Sequence, residues 1–378
     1  MGLLPVRWLT RLLFPAALLL LIAMWYYTNQ LNAGAFDVDN APQPNNVRIV
    51  DVGEGRIRIA PLDGEESAWN RDGLFGLELP TGYARIGRII DTHPDSVLRE
   101  LTIVAGEPPV AGSEARVDTF VYRGDPRTAL GIEFEEVSIT TPAGVGPAWF
   151  IPGSSDTWAI FVHGKGASRE EAFRILPTLQ DAGLPSLLIS YRNDADFKQE
   201  GTSKYRYGET EWEDLAAAMD YAESRGARQF VLFGNSMGGS VVMATLQRSE
   251  YASKVAGVVL DSPMLDLKGT VEYRAGERGI PAPFTKVTLQ FSIWRNGIDW
   301  TKTDYLASTQ ALTAPMLVFH GDHDKTVPLS TSEKLAQLRP DIVTLRKVAG
   351  AGHVQSWNRD RELYSLQLRE FLRKVSSN

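Results

Sequence analysis

The 378-residue sequence is long enough for one large domain with an appendage, or for two domains, and its 43% hydrophobic and 22% charged content is ordinary for a protein with a sizeable core. A formal net charge of -7, without a lysine- or arginine-rich block, argues against a nucleic acid partner. The absence of cysteine excludes disulfides, thiolate metal sites and cysteine nucleophiles. Five histidines remain as candidate bases: His93, His163, His320, His323 and His353.

Residues 1–35 predict a transmembrane anchor or signal segment outside the globular fold. Arg7 and Arg11 precede an uncharged apolar run that ends at Tyr27, and a membrane-spanning helix needs about 20 apolar residues. We expect residues of about 8–28 to cross the cell membrane once, with the N-terminus cytoplasmic and the catalytic domain extracytoplasmic. Because residues 33–35 resemble a signal-peptidase site, secretion after cleavage near Ala35 is the alternative.

Two further segments precede the region that carries the chemistry. Residues 36–46 hold prolines and asparagines and predict an extended linker. Residues 47–135 predict a small β-rich module without catalytic residues. Strands are expected at residues 47–52, 56–59, 75–79, 84–90 and 118–123. His93, beside Pro94, is expected to lie in an exposed loop.

From residue 136 to residue 378 strands and helices alternate, which predicts a mostly parallel sheet with helices on both faces. The run 230–233 is wholly apolar, as is typical of a central strand. A G-x-S-x-G pentapeptide with Ser236 at its centre follows, and then a helical pattern begins. Its glycines allow a sharp strand-to-helix turn that exposes the Ser236 hydroxyl beside the first amides of the helix. Ser236 is therefore the predicted nucleophile.

A serine hydroxyl needs a base that takes its proton and an acid that orients the base. Two downstream strands end in suitable residues, one at His320–Pro328 and the last at Ala349–His353. Asp324 and His353 complete the chain order Ser, Asp, His. Asp322 is the alternative acid because it lies close by. His323 is adjacent to Asp324 and cannot easily fold back onto it.

These motifs resemble an α/β-hydrolase, in particular the bacterial acyl-peptidase-like serine hydrolases, over residues of about 137–378. The resemblance implies that Asp324 is the triad acid and His353 the base. It also implies an oxyanion hole made by the backbone amides of Lys165 and Met237, and a mechanism without metal or organic cofactor. The residues that carry the resemblance are Val162-His163-Gly164, Gly234-Asn235-Ser236-Met237-Gly238-Gly239, Leu260-Asp261-Ser262-Pro263, His320-Gly321-Asp322-His323-Asp324-Lys325-Thr326-Val327-Pro328 and Ala351-Gly352-His353.

Residues 265–311 are long for a connection between two strands and predict a helical cap over Ser236. Phe284, Phe291 and Trp294 lie on one face at helical spacing, together with Val287. This apolar face is expected either to form a wall for the substrate or to pack against the body of the protein.

Other polar stretches near strand ends have less specific patterns. His163 is expected to shape the oxyanion loop. Residues 191–194 and 205–212 are expected either to line the pocket or to lie in a solvated loop. The imidazoles and carboxylates of residues 320–324 could suggest a metal site, but a hydrolytic metal needs further ligands from elsewhere.

The sequence as a whole predicts a serine hydrolase that cleaves a carboxylic ester or related acyl bond of a small-molecule or acyl substrate through an acyl-enzyme. A serine peptidase or an acyltransferase on the same triad is an alternative. A catalytically silent hydrolase-like binding domain at the cell envelope is the other.

Overall fold

The computed structural model describes residues 6–62, 68–199 and 204–376. The first helix, α1 (Val6–Leu31), continues into a π-helical turn at Asn32–Phe36. Within these described residues we find no helix with the length and apolar character needed to cross a membrane. The predicted transmembrane helix is therefore not confirmed. Residues 1–5 of the predicted anchor segment lie outside the described residues.

The end of this N-terminal segment packs into the body of the protein, contrary to the expectation that residues 1–35 stand apart from the globular fold. Asn32 and Phe36 are buried, and the Phe36 ring lies against the rings of Tyr207 and Trp300. The backbone carbonyl of Phe36 also accepts a hydrogen bond from the Tyr205 amide at 2.9 Å. The turn at Asn32–Phe36, which joins the predicted anchor to the predicted linker, is thus built into the globular fold.

The predicted β-rich module is a small antiparallel barrel, closed in the order β1-β2-β5-β4-β3-β6 over the described residues. Its strands are β1 (Val47–Gly53), β2 (Arg56–Pro61), β3 (Phe75–Leu79), β4 (Gly82–His93), β5 (Ser96–Gly106) and β6 (Glu114–Asp118). Strand β5 is absent from the sequence-based prediction because the buried Arg99 interrupts its apolar alternation.

Two other local predictions in the module are wrong. The expected strand at residues 118–123 does not form, since β6 ends at Asp118 and Val121 has a φ of 70°. A β-branched residue in this left-handed region cannot continue a strand ladder. His93 is exposed, as expected, but it is the last residue of β4 rather than part of a loop.

The second sheet is mostly parallel, and together with the helices that flank it forms the predicted α/β-hydrolase fold. In the described part of the chain its path is β11-β8-β10-β9-β12-β13-β14-β15, and β7 pairs with β8. Strand β8 is antiparallel to β10, whereas β10, β9, β12, β13, β14 and β15 run parallel. The strands are β7 (Glu135–Thr141), β8 (Gly144–Ile151), β9 (Thr157–Val162), β10 (Ser186–Ile189), β11 (Lys198–Gln199), β12 (Gln229–Asn235), β13 (Val255–Asp261), β14 (Met316–Gly321) and β15 (Val343–Val348).

Helices cover both faces of this sheet. Alternate residues of a strand therefore belong to two different apolar clusters. Leu232 belongs to the cluster that contains Val241, and its neighbour Phe233 to the cluster that contains Leu368. The remaining helices are α2 (Pro126–Leu130), α3 (Leu176–Asp181), α4 (Trp212–Ser224), α5 (Met237–Arg248), α6 (Leu267–Glu277), α7 (Ala282–Asn296), α8 (Leu329–Leu338), α9 (Ser356–Arg359) and α10 (Arg361–Val375).

Helices α6 and α7 lie in the region for which a cap is predicted, and the apolar face of α7 contacts α1. The Phe284 ring packs edge-on against Tyr27 with ring centroids 5.1 Å apart, and Phe291 packs against Trp25 at 6.5 Å. Trp294 is 76% exposed. Of the two expected roles for this face, packing against another part of the chain therefore accounts for the two phenylalanines.

Candidate active site

Ser236 occupies a strained turn between the central strand β12 and helix α5. Its φ of 49° and ψ of -117° are unusual for a residue with a side chain. The Ser236 amide donates to the Asp261 carbonyl, and the Ser236 carbonyl accepts from the Met264 amide, both at 3.0 Å. These bonds to the end of β13 and to the segment after it stabilise the turn, in which Ser236 is partly exposed.

The motif glycines are required because backbone segments approach closely around Ser236. A Cβ atom on Gly234 would lie 2.6 Å from the Gly238 carbonyl oxygen, and one on Gly239 would lie 2.6 Å from Cβ of Pro263. A Cβ atom on Gly238 would overlap the carbonyl oxygen of Val162. Side chains at these positions would therefore push the turn away from β9 and β13.

The structure brings the predicted nucleophile, base and acid into one hydrogen-bonded line. His353 Nε2 lies 2.8 Å from Ser236 Oγ, and His353 Nδ1 lies 2.8 Å from Asp324 Oδ2. Because a carboxylate only accepts, Nδ1 carries the hydrogen, and Nε2 can accept the proton of the serine hydroxyl.

Asp324 is held as a buried carboxylate. Its Oδ1 accepts the amides of Thr326 at 2.8 Å and Val327 at 2.9 Å, and His320 Nε2 lies 3.3 Å from Oδ2. Burial alone would raise the pKa of Asp324, but the charge of His353 and the hydrogen bonds from His320, His353 and Val327 outweigh it and hold the pKa well below its usual range. The acid is therefore ionised at every pH at which the protein would be assayed.

The alternative acid, Asp322, has different partners. Its Oδ1 lies 2.6 Å from His323 Nδ1 and accepts the Gly350 amide at 2.7 Å. Both Asp322 and His323 are exposed. Asp322 thus links the loop after β14 to the loop after β15 by hydrogen bonds. Asp324 is the aspartate that contacts His353.

The loop after β9 lies directly against Ser236. A Cβ atom on Gly164 would be 3.3 Å from Cβ of Ser236. The Gly164 amide donates to Glu171 at 3.1 Å. Lys165, a predicted oxyanion donor, follows Gly164 directly, and Met237, the other donor, follows Ser236 as the first residue of α5.

His163 is hydrogen-bonded to this loop and to Asp194. Its ring is fully buried, with Nε2 2.8 Å from Asp194 Oδ2 and Nδ1 2.9 Å from the Gly164 carbonyl oxygen. Burial would lower the pKa of His163, but the charge of Asp194 and these hydrogen bonds outweigh it and raise the pKa. Both ring nitrogens face acceptors, so the ring donates to Gly164 and Asp194 rather than acting as a base.

A groove of about 840 Å³ runs between the barrel and the hydrolase sheet, and Ser236 and His353 line it. The barrel contributes Tyr83, and the segment that follows it contributes Phe120 and Arg123. Residues 191–194 and 205–212 are predicted either to line a pocket or to be solvated. Of these residues Asp194 lines the groove, whereas Tyr191, Tyr205 and Tyr207 are buried.

Several residues that hold the His353 loop carry no recognisable signal in the sequence. Arg71 of the barrel donates to Gln355 Oε1 at 2.8 Å, and the Asn358 side chain donates to the Leu74 carbonyl at 2.8 Å. From the hydrolase side, Arg174 Nη1 donates to the Val354 carbonyl at 2.8 Å. These contacts join segments that are far apart in the chain, so no local pattern predicts them.

Asp261 lies buried beneath the same loop. Ser356 Oγ donates to Asp261 Oδ1 at 2.9 Å. Burial raises the pKa of Asp261 to about 6, although the neighbouring charges of Arg174, His320 and His353 oppose the shift. The site therefore contains a low-pKa aspartate that contacts His353 and a high-pKa aspartate behind it.

Two protein-family models match the chain. The model of the prolyl oligopeptidase family matches residues 174–378, more than half of the chain, and this span contains Ser236, Asp324 and His353. A model described as a domain of unknown function matches residues 48–118, which form the barrel.

Individual relatives are distant. The uncharacterized protein YfhR of Escherichia coli K12 is 22% identical over 262 residues, which cover 68% of this chain and 84% of YfhR. Human protein ABHD12B is 26% identical over 186 residues, 47% of this chain and 49% of that protein. The esterase Pf2001 of Pyrococcus furiosus has a TM-score of 0.53 at 22% identity, with 67% of this chain and 96% of the esterase covered. The likeness to Pf2001 shows the fold.

Proposed function

We propose that this chain, which belongs to the prolyl oligopeptidase family and is a hydrolase, cleaves a carboxylic ester or a related acyl bond. Ser236 is the nucleophile. The observation that carries the proposal is the hydrogen-bonded line from Ser236 Oγ through His353 to Asp324, with both distances at 2.8 Å. A serine, an imidazole and an ionised carboxylate in this order are the working parts of acyl transfer.

In the proposed mechanism, Ser236 Oγ attacks the substrate carbonyl while His353 Nε2 takes the hydroxyl proton. Asp324 keeps the proton on Nδ1 and stabilises the imidazolium that forms. The amides of Lys165 and Met237 stabilise the tetrahedral oxyanion, an effect of about 3 kcal/mol per donor in comparable sites. His353 then protonates the leaving group, and water releases the acyl-enzyme by the reverse proton path. Apart from the water that hydrolyses the acyl-enzyme, every step uses side chains and amides of this chain.

Peptide hydrolysis is the second candidate, because the family is described by a peptidase activity. The groove between barrel and sheet, at about 840 Å³, is large enough to receive an extended segment as well as a small ester. The two candidates share the acylation chemistry and differ only in the leaving group and in what the groove binds.

The experiment is active-site labelling of the purified chain with a fluorophosphonate, followed by a panel of esters, thioesters and peptides. We expect labelling and ester hydrolysis by the parent and neither by Ser236→Ala. Equal labelling of the variant would show that Ser236 is not the nucleophile. A folded parent that neither labels nor hydrolyses any substrate would instead indicate a silent, ligand-binding hydrolase domain.

We also propose that the catalytic domain is exported from the cytoplasm. Arg7 and Arg11 before the apolar run favour export of the residues that follow. The Tyr207 hydroxyl donates to the Ala35 carbonyl at 2.9 Å, which favours retention of this segment over cleavage near Ala35. Protease added after permeabilisation of the outer envelope should digest the body, and the mass of the isolated chain should include α1. Protection of the body would contradict export.

A further inference from the structure

A connection of the barrel lies directly against the loop that carries His353. The barrel segment 71–74 is the last part of the connection from β2 to β3, and the His353 loop comprises residues 349–358 after β15. The two segments meet although 284 positions separate Arg71 from Gln355. Because the proposed triad lies wholly outside the barrel, any effect of this contact on catalysis must act through the loop.

Arg71 reaches the residue that directly precedes the base. Its Nη1 donates to Gln355 Oε1 at 2.8 Å, and the same oxygen accepts the Gly352 amide at 3.2 Å. The guanidinium also covers Gly352, because a Cβ atom there would overlap Nη1 of Arg71 and lie 2.7 Å from its Cζ. One arginine therefore holds Gly352 both through Gln355 and by direct contact, next to His353.

Further contacts hold the two ends of the loop. Asp72 Oδ2 accepts from Arg359 Nη1 at 3.1 Å, and Arg359 Nε donates to the Ala349 carbonyl at 3.2 Å. The Leu74 amide donates to the Asn358 carbonyl at 2.9 Å, and the Asn358 side chain donates back to the Leu74 carbonyl at 2.8 Å. The barrel segment thus contacts the loop on both sides of the base.

The barrel fixes this segment from behind. Arg99 is completely buried, and its guanidinium donates to the carbonyls of Arg71 and Gly73, both at 2.8 Å. Asp72 Oδ1 accepts the Ile89 amide of β4 at 3.0 Å. A segment that is itself locked by buried hydrogen bonds can hold a catalytic group in a defined position.

The backbone beside the base is strained and needs support from outside the loop. Val354, the residue after His353, has a φ of 53°, which is unfavourable for a β-branched residue and persists only where surrounding contacts determine it. On the hydrolase side the Val354 amide donates to Ser262 Oγ at 3.1 Å, and the Val354 carbonyl accepts from Arg174 at 2.8 Å. On the other side of His353, the barrel supports Gly352.

We propose, resting on the proposed function, that the barrel positions the catalytic base and that Arg71 is the positioning residue. Arg71 acts on His353 through Gln355 and the Gly352 amide. His353 Nε2 must stay within hydrogen-bond reach of Ser236 Oγ, from which it lies 2.8 Å, and a displacement of about 1 Å can cost about 100-fold in rate. The barrel is therefore part of the catalytic machinery rather than a separate appendage.

Arg71→Met tests the proposal on the full chain by steady-state hydrolysis of p-nitrophenyl acetate. Methionine keeps an apolar stem of similar reach and removes the donors. We expect kcat to fall about tenfold or more while KM changes less than about twofold, because the base moves relative to the serine and the groove does not change. Arg71→Lys, which keeps one donor group, should recover part of the loss. Arg48→Met is the matched control, since Arg48 lies exposed on β1, and it should keep the parental kcat.

Gln355→Leu tests whether Arg71 acts through Gln355. This variant removes the acceptor of both Arg71 and the Gly352 amide, so kcat should fall at least as far as in Arg71→Met. Effects that pass through one contact are not additive, so the double variant should lose no more than Gln355→Leu alone. A contact that serves stability only would lower the melting temperature and leave the kcat of the folded protein unchanged. Losses that multiply in the double variant would overturn the proposal.

The outcomes separate this proposal from the proposed function. If the parent labels and hydrolyses the ester through Ser236 while folded Arg71→Met keeps the parental kcat, or Arg48→Met loses as much, Arg71 does not position the base. Should Arg71→Met fail to fold, an unchanged kcat in folded Gln355→Leu leads to the same conclusion. If the folded parent neither labels nor hydrolyses any substrate, the proposed function fails, and the positioning role fails with it.

Discussion

Replacing Asp324 with asparagine should convert the base into a ring that cannot accept the serine proton. Asp324 Oδ1 accepts two backbone amides, from Thr326 and Val327, while Oδ2 faces His353 Nδ1 at 2.8 Å. An asparagine must keep its oxygen on the two amides, because its NH₂ group cannot accept them. The NH₂ group then faces Nδ1, which must become the acceptor. Consequently Nε2 carries the hydrogen and no longer acts as a base toward Ser236.

The size of the effect follows from this change of tautomer. In serine hydrolases with this constellation, the corresponding substitution lowers kcat by about 10⁴, or about 5 kcal/mol of transition-state stabilisation. The variant should also lose some stability, since His320 Nε2 lies 3.3 Å from Oδ2 and donates to the Val327 carbonyl at 3.1 Å. Two donors would face each other in the variant.

The assay is steady-state ester hydrolysis at 25 °C, with the melting temperature measured in parallel. The control is Asp322→Asn, because Asp322 contacts His323 and Gly350 rather than His353. This variant should keep kcat within about twofold, since it changes an exposed pair. If Asp324→Asn retains more than a tenth of the parental kcat while folded, or if Asp322→Asn loses as much, the assignment of the acid is wrong.

Three further substitutions test the surrounding structure. Burial raises the pKa of Asp261 from 3.8 to about 6, so its contribution to stability is fully present below about pH 4 and is lost as the pH rises through 6, about 3 kcal/mol in all. The melting temperature of Asp261→Asn should therefore rise relative to the parent between pH 4 and 7. Arg99→Leu should lower stability by about 3 kcal/mol, measured by urea unfolding, because it leaves buried carbonyls without donors. Gly164→Ala should lower kcat about tenfold with little change in melting temperature, since its Cβ would lie 3.3 Å from Cβ of Ser236.

Each of these three predictions has an outcome that would contradict it. A pH-independent difference in melting temperature for Asp261→Asn would show that this carboxyl does not titrate differently in the folded and unfolded states. An Arg99→Leu variant with the same free energy of unfolding as the parent would mean that water replaces the guanidinium as the hydrogen-bond donor. Unchanged kinetics in Gly164→Ala would show that the loop can move away from Ser236 without cost.

The proposed nucleophile, base and acid could be placed together from the sequence because each follows a parallel strand. Apolar runs identify β12 and β14, and the carboxyl ends of the parallel strands, β15 included, meet at one edge of the sheet. The glycines around Ser236 likewise reflect a local requirement, the sharp turn from β12 into α5. Residues separated by more than a hundred positions could thus be placed together without any knowledge of their contacts.

The sequence alone determined the fold class of residues 136–378 and which residues are proposed to act at one edge of the sheet. It could do so because both depend on short-range backbone rules. The tertiary structure decided how the rest of the chain contacts that edge: the barrel contacts the His353 loop, α1 packs against α7, and Arg99 is buried in β5. These features depend on single polar contacts between distant segments. Such contacts have no periodicity, so burial and hydrogen bonding become visible only when the chain is folded.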